Sequence, residues 1–314
     1  MFDPSQLTIV IQGRIGAYTY KSLVSILKNF KDLNKIIVST WNCDSEYASY
    51  LRTLSPNKIQ VISSMDPGAE LMRKTPLELN NTNRILVSSI NGLDRVETKY
   101  AIVCRSDLVF NSSEILNLYS KYNNYSNKLL VLSHTTIDVE RDFCLPFHCC
   151  DWLHLGETSS LRQYFDIELM PLDEISWYDR HEKPENRIDP GNLSKFMAED
   201  YITSNGLRNL GYVIQHDYYC HSSKEILQQW HSILGDKFIV VGCRQAGILN
   251  LKYPISSFIG NSKSLTFAKW KRYAGYNVNC FERLYDSLVY INLKIIYSLR
   301  RRFKAFKKIL LYRP

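Results

Sequence analysis

Several familiar patterns are missing from this sequence. It holds no uninterrupted apolar run of the roughly 18 residues that cross a membrane, and no basic stretch precedes an apolar one at its N-terminus, so we expect neither a membrane span nor a signal peptide. Its 8 cysteines include no C-x-x-C pair, which argues against zinc and thioredoxin-like sites. Neither G-x-G-x-x-G nor G-x-x-x-x-G-K-S/T occurs, which argues against standard dinucleotide and P-loop sites. We expect reduced thiols and a cytoplasmic protein.

The net charge of +8 is concentrated at one end of the chain. Residues 287–314 carry eight Lys or Arg and no acid, so the other residues hold 31 basic and 31 acidic side chains. Apolar residues recur at helical spacing in the same segment: Leu288, Ile291, Ile295, Leu299, Phe303, Phe306 and Leu310. We predict a basic amphipathic helix that binds an anionic membrane surface. The alternative is a helix packed on the body. Because the body lacks a basic signal, we expect no nucleic acid partner.

The periodicity of the first hundred residues predicts an α/β fold. β-branched runs at 7–12, 35–39 and 58–63 alternate with amphipathic segments, and this order is typical of βαβ units with parallel strands. Further strands are predicted at 100–105, 129–133, 212–220 and 238–241. Helices are predicted at 83–93 and 199–210, and a long loop or lid at 173–193. One large domain covering 1–286 accounts for this pattern.

Ligands of parallel sheets bind beyond the carboxyl ends of the strands, so the residues that follow each run are the candidate site. Those after the first three runs are Gln12, Gly13 and Arg14, then Ser39, Thr40 and Trp41, then Asp66 and Gly68. Glycine lets a ligand approach the backbone closely, and arginine suits a phosphate. This rim suits a nucleotide. The alternative is three ordinary turns.

The fourth run ends in Arg105, Ser106 and Asp107. A carboxylate that emerges from a buried strand is costly unless it is paired or binds a ligand. It can hold Mg²⁺ or Mn²⁺ against a diphosphate, because these ions prefer hard oxygen ligands. The alternative is an internal ion pair between Arg105 and Asp107.

Asp151 and Trp152 place a carboxylate beside an aromatic ring before a predicted helix. Carboxylates and aromatic rings commonly hold sugars, so we assign Asp151 a catalytic role and Trp152 an acceptor contact. A zinc site at the neighbouring His148, Cys149 and Cys150 is the competing idea, but no second Cys/His pair stands at zinc spacing.

Glu199 and Asp200 fall in the first turn of a predicted helix. They either stabilise the helix start or supply a general base that takes a proton from an acceptor hydroxyl. His216 is a candidate metal ligand with Asp107. A structural histidine is the alternative.

Taken together, these segments resemble the WavE lipopolysaccharide synthesis family, whose members look like GT-A glycosyltransferases. The matching segments, colinear over roughly residues 7–220, are Ile9 to Gly13, Ile37 to Trp41, Asp66 to Ala69, Asn80 to Arg84, Arg105 to Asp107, Asp151 with Trp152, and Glu199 to Tyr201. The resemblance implies a GT-A-like, Rossmann-type, mostly parallel sheet flanked by helices. It further implies a nucleotide-sugar-binding half at 1–110 and an acceptor half at 111–286, and the basic tail predicted above follows at 287–314.

The resemblance also implies a function and residue roles. Asn83 and Arg84 would lie near the nucleotide of a nucleoside diphosphate sugar, and Asp107 beside its diphosphate. GT-A enzymes usually carry D-x-D where this chain has Arg105-Ser106-Asp107, and arginine cannot ligate a cation, so Arg105 can instead neutralise phosphate directly.

Glu199 is preferred over Asp200 as the base of an inverting transfer. The acceptor would be a lipid-linked lipopolysaccharide, O-antigen or capsule glycan at the cytoplasmic face of the inner membrane. The alternative is a noncatalytic nucleotide-sugar or glycan-binding scaffold at the membrane.

Overall fold

The computed structural model describes residues 3–42, 45–74, 77–123, 127–141, 144–185, 191–259 and 263–284, with residues 287, 291 and 295. Its strands are β1 (Leu7–Gln12), β2 (Lys35–Trp41), β3 (Ile59–Ser64), β4 (Glu70–Arg73), β5 (Glu78–Asn80), β6 (Tyr100–Arg105), β7 (Leu108–Phe110), β8 (Leu129–Leu132), β9 (Leu153–Glu157), β10 (Phe238–Val241) and β11 (Ile248–Asn250). Its α-helices are α1 (Ala17–Asn29), α2 (Ser45–Thr53), α3 (Thr82–Leu93), α4 (Glu114–Tyr122), α5 (Thr158–Phe165), α6 (Leu172–Ile175), α7 (Ala198–Asn209), α8 (Lys224–Lys237), α9 (Pro254–Ile259) and α10 (Phe267–Tyr273).

Seven strands form one mixed, mostly parallel sheet in the order β10-β8-β9-β6-β1-β2-β3. The pairs β6/β1, β1/β2, β2/β3 and β8/β10 are parallel, whereas β9 runs antiparallel to both of its neighbours. All six residues of β1 are buried, as expected of a central strand covered on both faces. The α/β class is therefore confirmed, with one reversed strand that the sequence did not predict.

The strand directions bring the candidate residues to one edge of the sheet. β1, β2, β3 and β6 all end at this edge because they are parallel. β9 begins there because it is antiparallel, with Leu153 opposite Cys104 of β6. The Arg105 amide donates to the Trp152 carbonyl at 3.0 Å, which fixes the segment before β9 against the end of β6.

Helix α3 lies close against β1 and β2, and Gly92 permits this approach. A Cβ at position 92 would overlap the Val10 side chain and lie 3.1 Å from Cβ of Ser39. α3 also contacts α5, which packs on β9 and against α7. This chain of contacts links the first turn of α7 to the edge where the strands end.

Three predicted elements need correction. Residues 212–220 are irregular rather than a strand, because the Arg208 guanidinium donates to the carbonyls of Ile214 and His216 and so replaces a partner strand. A strand, β9, separates Asp151 and Trp152 from the helix expected directly after them. The predicted loop at 173–193 includes most of α6 and a 3-10 turn, Trp177–Asp179.

The predicted C-terminal helix falls mostly outside the described residues. Of residues 287–314 only 287, 291 and 295 are described, and each is helical. No helix within the described ranges is long and apolar enough to cross a bilayer. The division of 1–286 into two halves stays a prediction, and strands from both halves form the one sheet.

Gly206→Ala is expected to destabilise the protein, because α7 packs on α5 through this glycine. A Cβ there would lie 2.5 Å from a ring carbon of Tyr164 and 2.7 Å from its carbonyl oxygen, and the backbone oxygen cannot move aside. Overpacking of this kind costs about 1–3 kcal/mol in the free energy of unfolding. Urea denaturation measures the change. Gly16→Ala is the control, since no atom lies within 4 Å of its added methyl group, and an equal effect in both variants would contradict the packing explanation.

Candidate active site

A cleft of about 850 Å³ lies at the edge where the parallel strands end. The residues that line it come from β1 and the turn after it, α1, β2, the β4–β5 hairpin, α3, β6, the segment before β9, the start of α7 and the loop after β11. They include Gln12, Gly13, Arg14, Tyr18, Trp41, Arg73, Glu78, Asn80, Arg84, Arg105, Ser106, Asp107, His148, Asp151, Glu199, Lys252 and Tyr253. Stretches that are far apart in sequence therefore share one surface.

Arg105 and Asp107 form a two-pronged ion pair inside the cleft. Nε and Nη2 of Arg105 lie 3.1 and 2.8 Å from the two carboxylate oxygens of Asp107. Asn250 Nδ2 donates to the same carboxylate at 3.3 Å. Burial lowers the pKa of Arg105, but the carboxylates of Asp151 and Asp107 outweigh it and the net shift is upward. Arg105 stays charged at any working pH.

Asp151 faces the same guanidinium from the other side. Its Oδ2 lies 3.8 Å from Nη1 of Arg105. Burial and the nearby Glu199 carboxylate raise the pKa of Asp151, Arg105 opposes the rise, and the resulting pKa is about 6. A carboxyl group with this pKa exchanges its proton close to neutral pH, which suits acid–base chemistry.

Glu199 reaches the cleft from the first turn of α7. Its Oε2 lies 3.8 Å from Nε2 of His148, whose Nδ1 lies 2.8 Å from the Thr135 carbonyl. A carbonyl only accepts, so Nδ1 carries the hydrogen and Nε2 is turned towards Glu199. Phe147, just before, has φ of 58°, a left-handed conformation that is strained for a bulky residue and often marks a functional site.

Asp200 has no access to the cleft. It is fully buried, and its Oδ2 lies 3.0 Å from Nε2 of the equally buried His216. Neither residue lines the cleft. Asp200 as a base and His216 as a metal ligand beside Asp107 are therefore corrected: helical geometry turns consecutive residues about 100° apart, so only Glu199 faces the ligand space.

Arg84 and Trp41 form the far end of the cleft. The Arg84 guanidinium lies 5.4 Å from the centre of the Trp41 ring and binds both oxygens of Asp66, at 2.8 and 2.6 Å. These bonds lower the pKa of Asp66. The Gly68 amide donates to the same carboxylate at 3.0 Å. Asp66 and Gly68 thus hold Arg84 in place and are not among the lining residues.

The turn after β1 forms the floor between these two ends. Gly13 has φ of 110°, a conformation that favours glycine, and its amide donates to the Ser39 carbonyl. Ser106 fixes the turn twice: its amide donates to the Gln12 carbonyl at 3.2 Å and its hydroxyl to the Arg14 carbonyl at 2.8 Å.

Four other predicted ligand contacts lie beneath the cleft surface. Ser39 and Thr40 are buried in the sheet. The Asn83 side chain donates to the Met170 carbonyl at 3.0 Å and accepts from the Met170 amide at 2.7 Å. Trp152 is buried, with His134 4.1 Å and Tyr253 5.9 Å from its ring centre. Each supports the cleft from behind, because its side chain points into the packed core.

Five residues that line the cleft were not predicted from the sequence: Tyr18, Arg73, Glu78, Lys252 and Tyr253. Lys252 and Tyr253 lie at the cleft because β11 pairs with β7 and the Leu251 amide donates to the Asp107 carbonyl at 2.9 Å. This pairing joins segments about 140 residues apart in the chain. No local sequence signal marks such a contact.

The residues around Asp107 do not fit an all-protein divalent cation site. Both carboxylate oxygens already accept from Arg105, whose guanidinium neutralises the negative charge of Asp107. Within the described ranges, no three His, Cys, Asp or Glu side chains are grouped as metal ligands.

Comparisons with solved structures give partial matches at low identity. The galactosyltransferase LgtC in complex with donor and acceptor sugar analogues is 13% identical, with a TM-score of 0.37 over 64% of this chain and 69% of that chain. The 4-diphosphocytidyl-2C-methyl-D-erythritol synthase of Anaerococcus prevotii is 13% identical, with a TM-score of 0.34 over 56% and 85%. HddC of Yersinia pseudotuberculosis is 14% identical, with a TM-score of 0.32 over 50% and 79%.

No curated protein matches the chain significantly. The family described as WavE lipopolysaccharide synthesis matches residues 7–306, nearly the whole sequence. The resemblance found in the motifs is thereby confirmed, and this chain belongs to the WavE lipopolysaccharide synthesis family.

Proposed function

We propose that this protein is a glycosyltransferase that moves a sugar from a nucleoside diphosphate donor to a hydroxyl of a lipid-linked lipopolysaccharide, O-antigen or capsule glycan. Its family supports a place in lipopolysaccharide synthesis. The observation that carries the proposal is the convergence of Arg105, Asp107, Asp151 and Glu199, from three distant stretches, on one cleft. The noncatalytic scaffold has no specific observation in its favour.

The charges of the cleft suit a nucleotide sugar. Five cationic and four acidic side chains line it. We place the base and ribose towards Trp41 and Arg84, where an aromatic face and a held guanidinium are available. The diphosphate then lies by Arg14 and Arg105, whose planar guanidinium donors match phosphate oxygens. The sugar lies between Arg105 and the carboxylates of Asp151 and Glu199.

In the proposed reaction the acceptor oxygen attacks C1 of the donor sugar from the face opposite the diphosphate. The new C1–O bond forms as the C1–O bond to phosphate breaks, and the configuration at C1 is inverted. Glu199 takes the hydroxyl proton, and Nε2 of His148 lies 3.8 Å from its carboxylate. The nucleoside diphosphate leaves with the bonding electrons, and Arg105 stabilises its added charge. Asp151 accepts a hydrogen bond from a sugar hydroxyl and favours the positive charge that develops at C1.

Glu199→Gln and Asp200→Asn are expected to act on different properties. The first removes the base and should lower kcat about 10²–10⁴-fold with little change in the unfolding midpoint. The second replaces the buried carboxylate that pairs with His216 by a neutral amide and should cost about 1–3 kcal/mol in the free energy of unfolding. Release of nucleoside diphosphate, assayed over a panel of nucleotide sugars with a glycan extract, measures the first effect.

Glu97→Gln, at an exposed site outside the cleft, is the matched control for this pair and should behave as the unsubstituted protein. Full activity in the Glu199 variant would remove Glu199 from the role of base.

Arg105→Lys is expected to lower kcat about 10²–10³-fold, because one ammonium group cannot reproduce the guanidinium contacts that stabilise the leaving diphosphate. Activity should survive treatment with EDTA, since Asp107 is already paired with Arg105. Loss of activity with EDTA and its return with Mg²⁺ or Mn²⁺ would contradict this assignment. Arg95→Lys, at an exposed site away from the cleft, is the control.

The pH dependence should reveal Asp151. Its pKa is raised to about 6, so the group is ionised above pH 6 and takes up a proton below it. kcat/KM is therefore expected to fall as the pH drops through about 6. In Asp151→Asn the rate should be lower and this inflection should disappear. An inflection that persists unchanged in the Asn variant would assign the titration to another group.

A further inference from the structure

A row of apolar side chains near the C-terminus faces solvent. Residues 280–284, 287, 291 and 295 are helical, and Phe281, Leu284, Ile291 and Ile295 are 78%, 58%, 53% and 52% exposed. Their spacings of three, seven and four residues keep them on one side of a helix. We call these four residues the apolar stripe. Since all four are exposed, the alternative of a helix that packs this face on the body does not hold for them.

A second cavity, of about 370 Å³, lies beside this stripe and is distinct from the cleft. Four cationic side chains line it, together with Ser287 and Ile291: Arg141, Lys269, Arg272 and Arg283. We call it the basic cavity. Ile291 belongs both to its wall and to the apolar stripe, so the two surfaces are continuous.

The positive charge of the basic cavity is only partly matched by acids. Lys269 Nζ lies 2.5 Å from Asp138 and 2.6 Å from Glu140, and Arg141 Nε lies 2.8 Å from Asp138. Arg272 and Arg283 are exposed and pair with no acid among the described residues. Nε and Nη2 of Arg283 donate to the Val278 carbonyl, at 3.2 and 3.0 Å, which holds the guanidinium at the wall. Two arginine side chains thus remain to receive an anion.

The chemistry that fits both surfaces is that of an anionic phospholipid. Guanidinium groups bind phosphate oxygens through paired N–H donors, and a cavity of this size accommodates a headgroup. Apolar side chains on one helix face enter the boundary between headgroups and acyl chains. The sequence that follows adds eight basic residues and no acid from 287 to 314, which favours an anionic membrane over the surface of another protein.

We propose that the basic cavity binds the phosphate of an anionic phospholipid headgroup while the apolar stripe lies in the membrane interface. This docking is separate from the transferase reaction, because neither Arg272 nor Arg283 lines the cleft. It would hold the protein at the surface where a lipid-linked acceptor is found.

The test is co-sedimentation of the full chain with vesicles of phosphatidylcholine, with and without phosphatidylglycerol. We expect binding only when phosphatidylglycerol is present. Arg272→Glu with Arg283→Glu should weaken it by roughly tenfold or more, since each basic residue near an anionic surface contributes about 1 kcal/mol. Lys28→Glu with Arg95→Glu, two exposed sites outside the cavity, makes the same change in net charge and should bind within about twofold of the unsubstituted chain.

Two further measurements distinguish lipid docking from a general effect of charge. Phe281→Ser with Ile291→Asn should also reduce vesicle binding, whereas it should leave thermal stability unchanged because both side chains are exposed. If the Arg272/Arg283 variant and the Lys28/Arg95 variant lost vesicle binding equally, overall charge would explain the effect and the proposal would be overturned. Binding of glycerol phosphate in calorimetry, without binding of the protein to vesicles, would also overturn it. Nucleotide-sugar binding should be the same in all these variants, so a failure here leaves the proposed transferase function untouched.

Discussion

The candidate active site depends on one guanidinium group held between two carboxylates. Arg105 lies at the end of β6 and contacts Asp107 directly and Asp151 at 3.8 Å. A buried charge of this kind persists only when it is paired, and each partner comes from a different part of the fold. Asp107 follows Arg105 in the chain, whereas Asp151 is delivered by the reversed strand β9. Removing Arg105 would leave two neighbouring carboxylates without the cation that pairs with them.

The same balance sets the acid–base properties of the site. Arg105 has two acidic neighbours, and Glu199 lies close enough to Asp151 to raise its pKa. Burial of Asp151 is the main cause of its raised pKa, and the excess of acids over the cation adds to it, so Asp151 releases its proton near pH 6 rather than near 4. Such a cluster suits the proposed sugar transfer, because it can accept a proton at neutral pH and favour positive charge on the sugar ring.

Positioning of the cleft comes from packing behind it. Asn83, Trp152 and the Asp200–His216 pair are buried, and each fixes an element that carries a lining residue. Trp152 stacks beneath Tyr253, Asn83 holds the backbone at Met170, and Asp200 anchors the first turn of α7 next to Glu199. These residues have a structural role. They fall within the sequence motifs because a motif contains both the side chains that face a ligand and the side chains that position them.

Hydrophobic periodicity was enough to place six strands of the main sheet and the helices α3 and α7, because burial repeats along a short stretch of chain. It also placed Arg14, Trp41, Arg105, Asp107 and Glu199 at strand or helix ends, where ligands of such sheets bind. The reversed strand β9, the β11–β7 pairing that brings in Tyr253, and the burial of Asp200 away from the cleft followed only from the three-dimensional arrangement. Each of these depends on contacts between residues far apart in the chain or on the direction in which one side chain points. Neither kind of information appears as periodicity in the sequence.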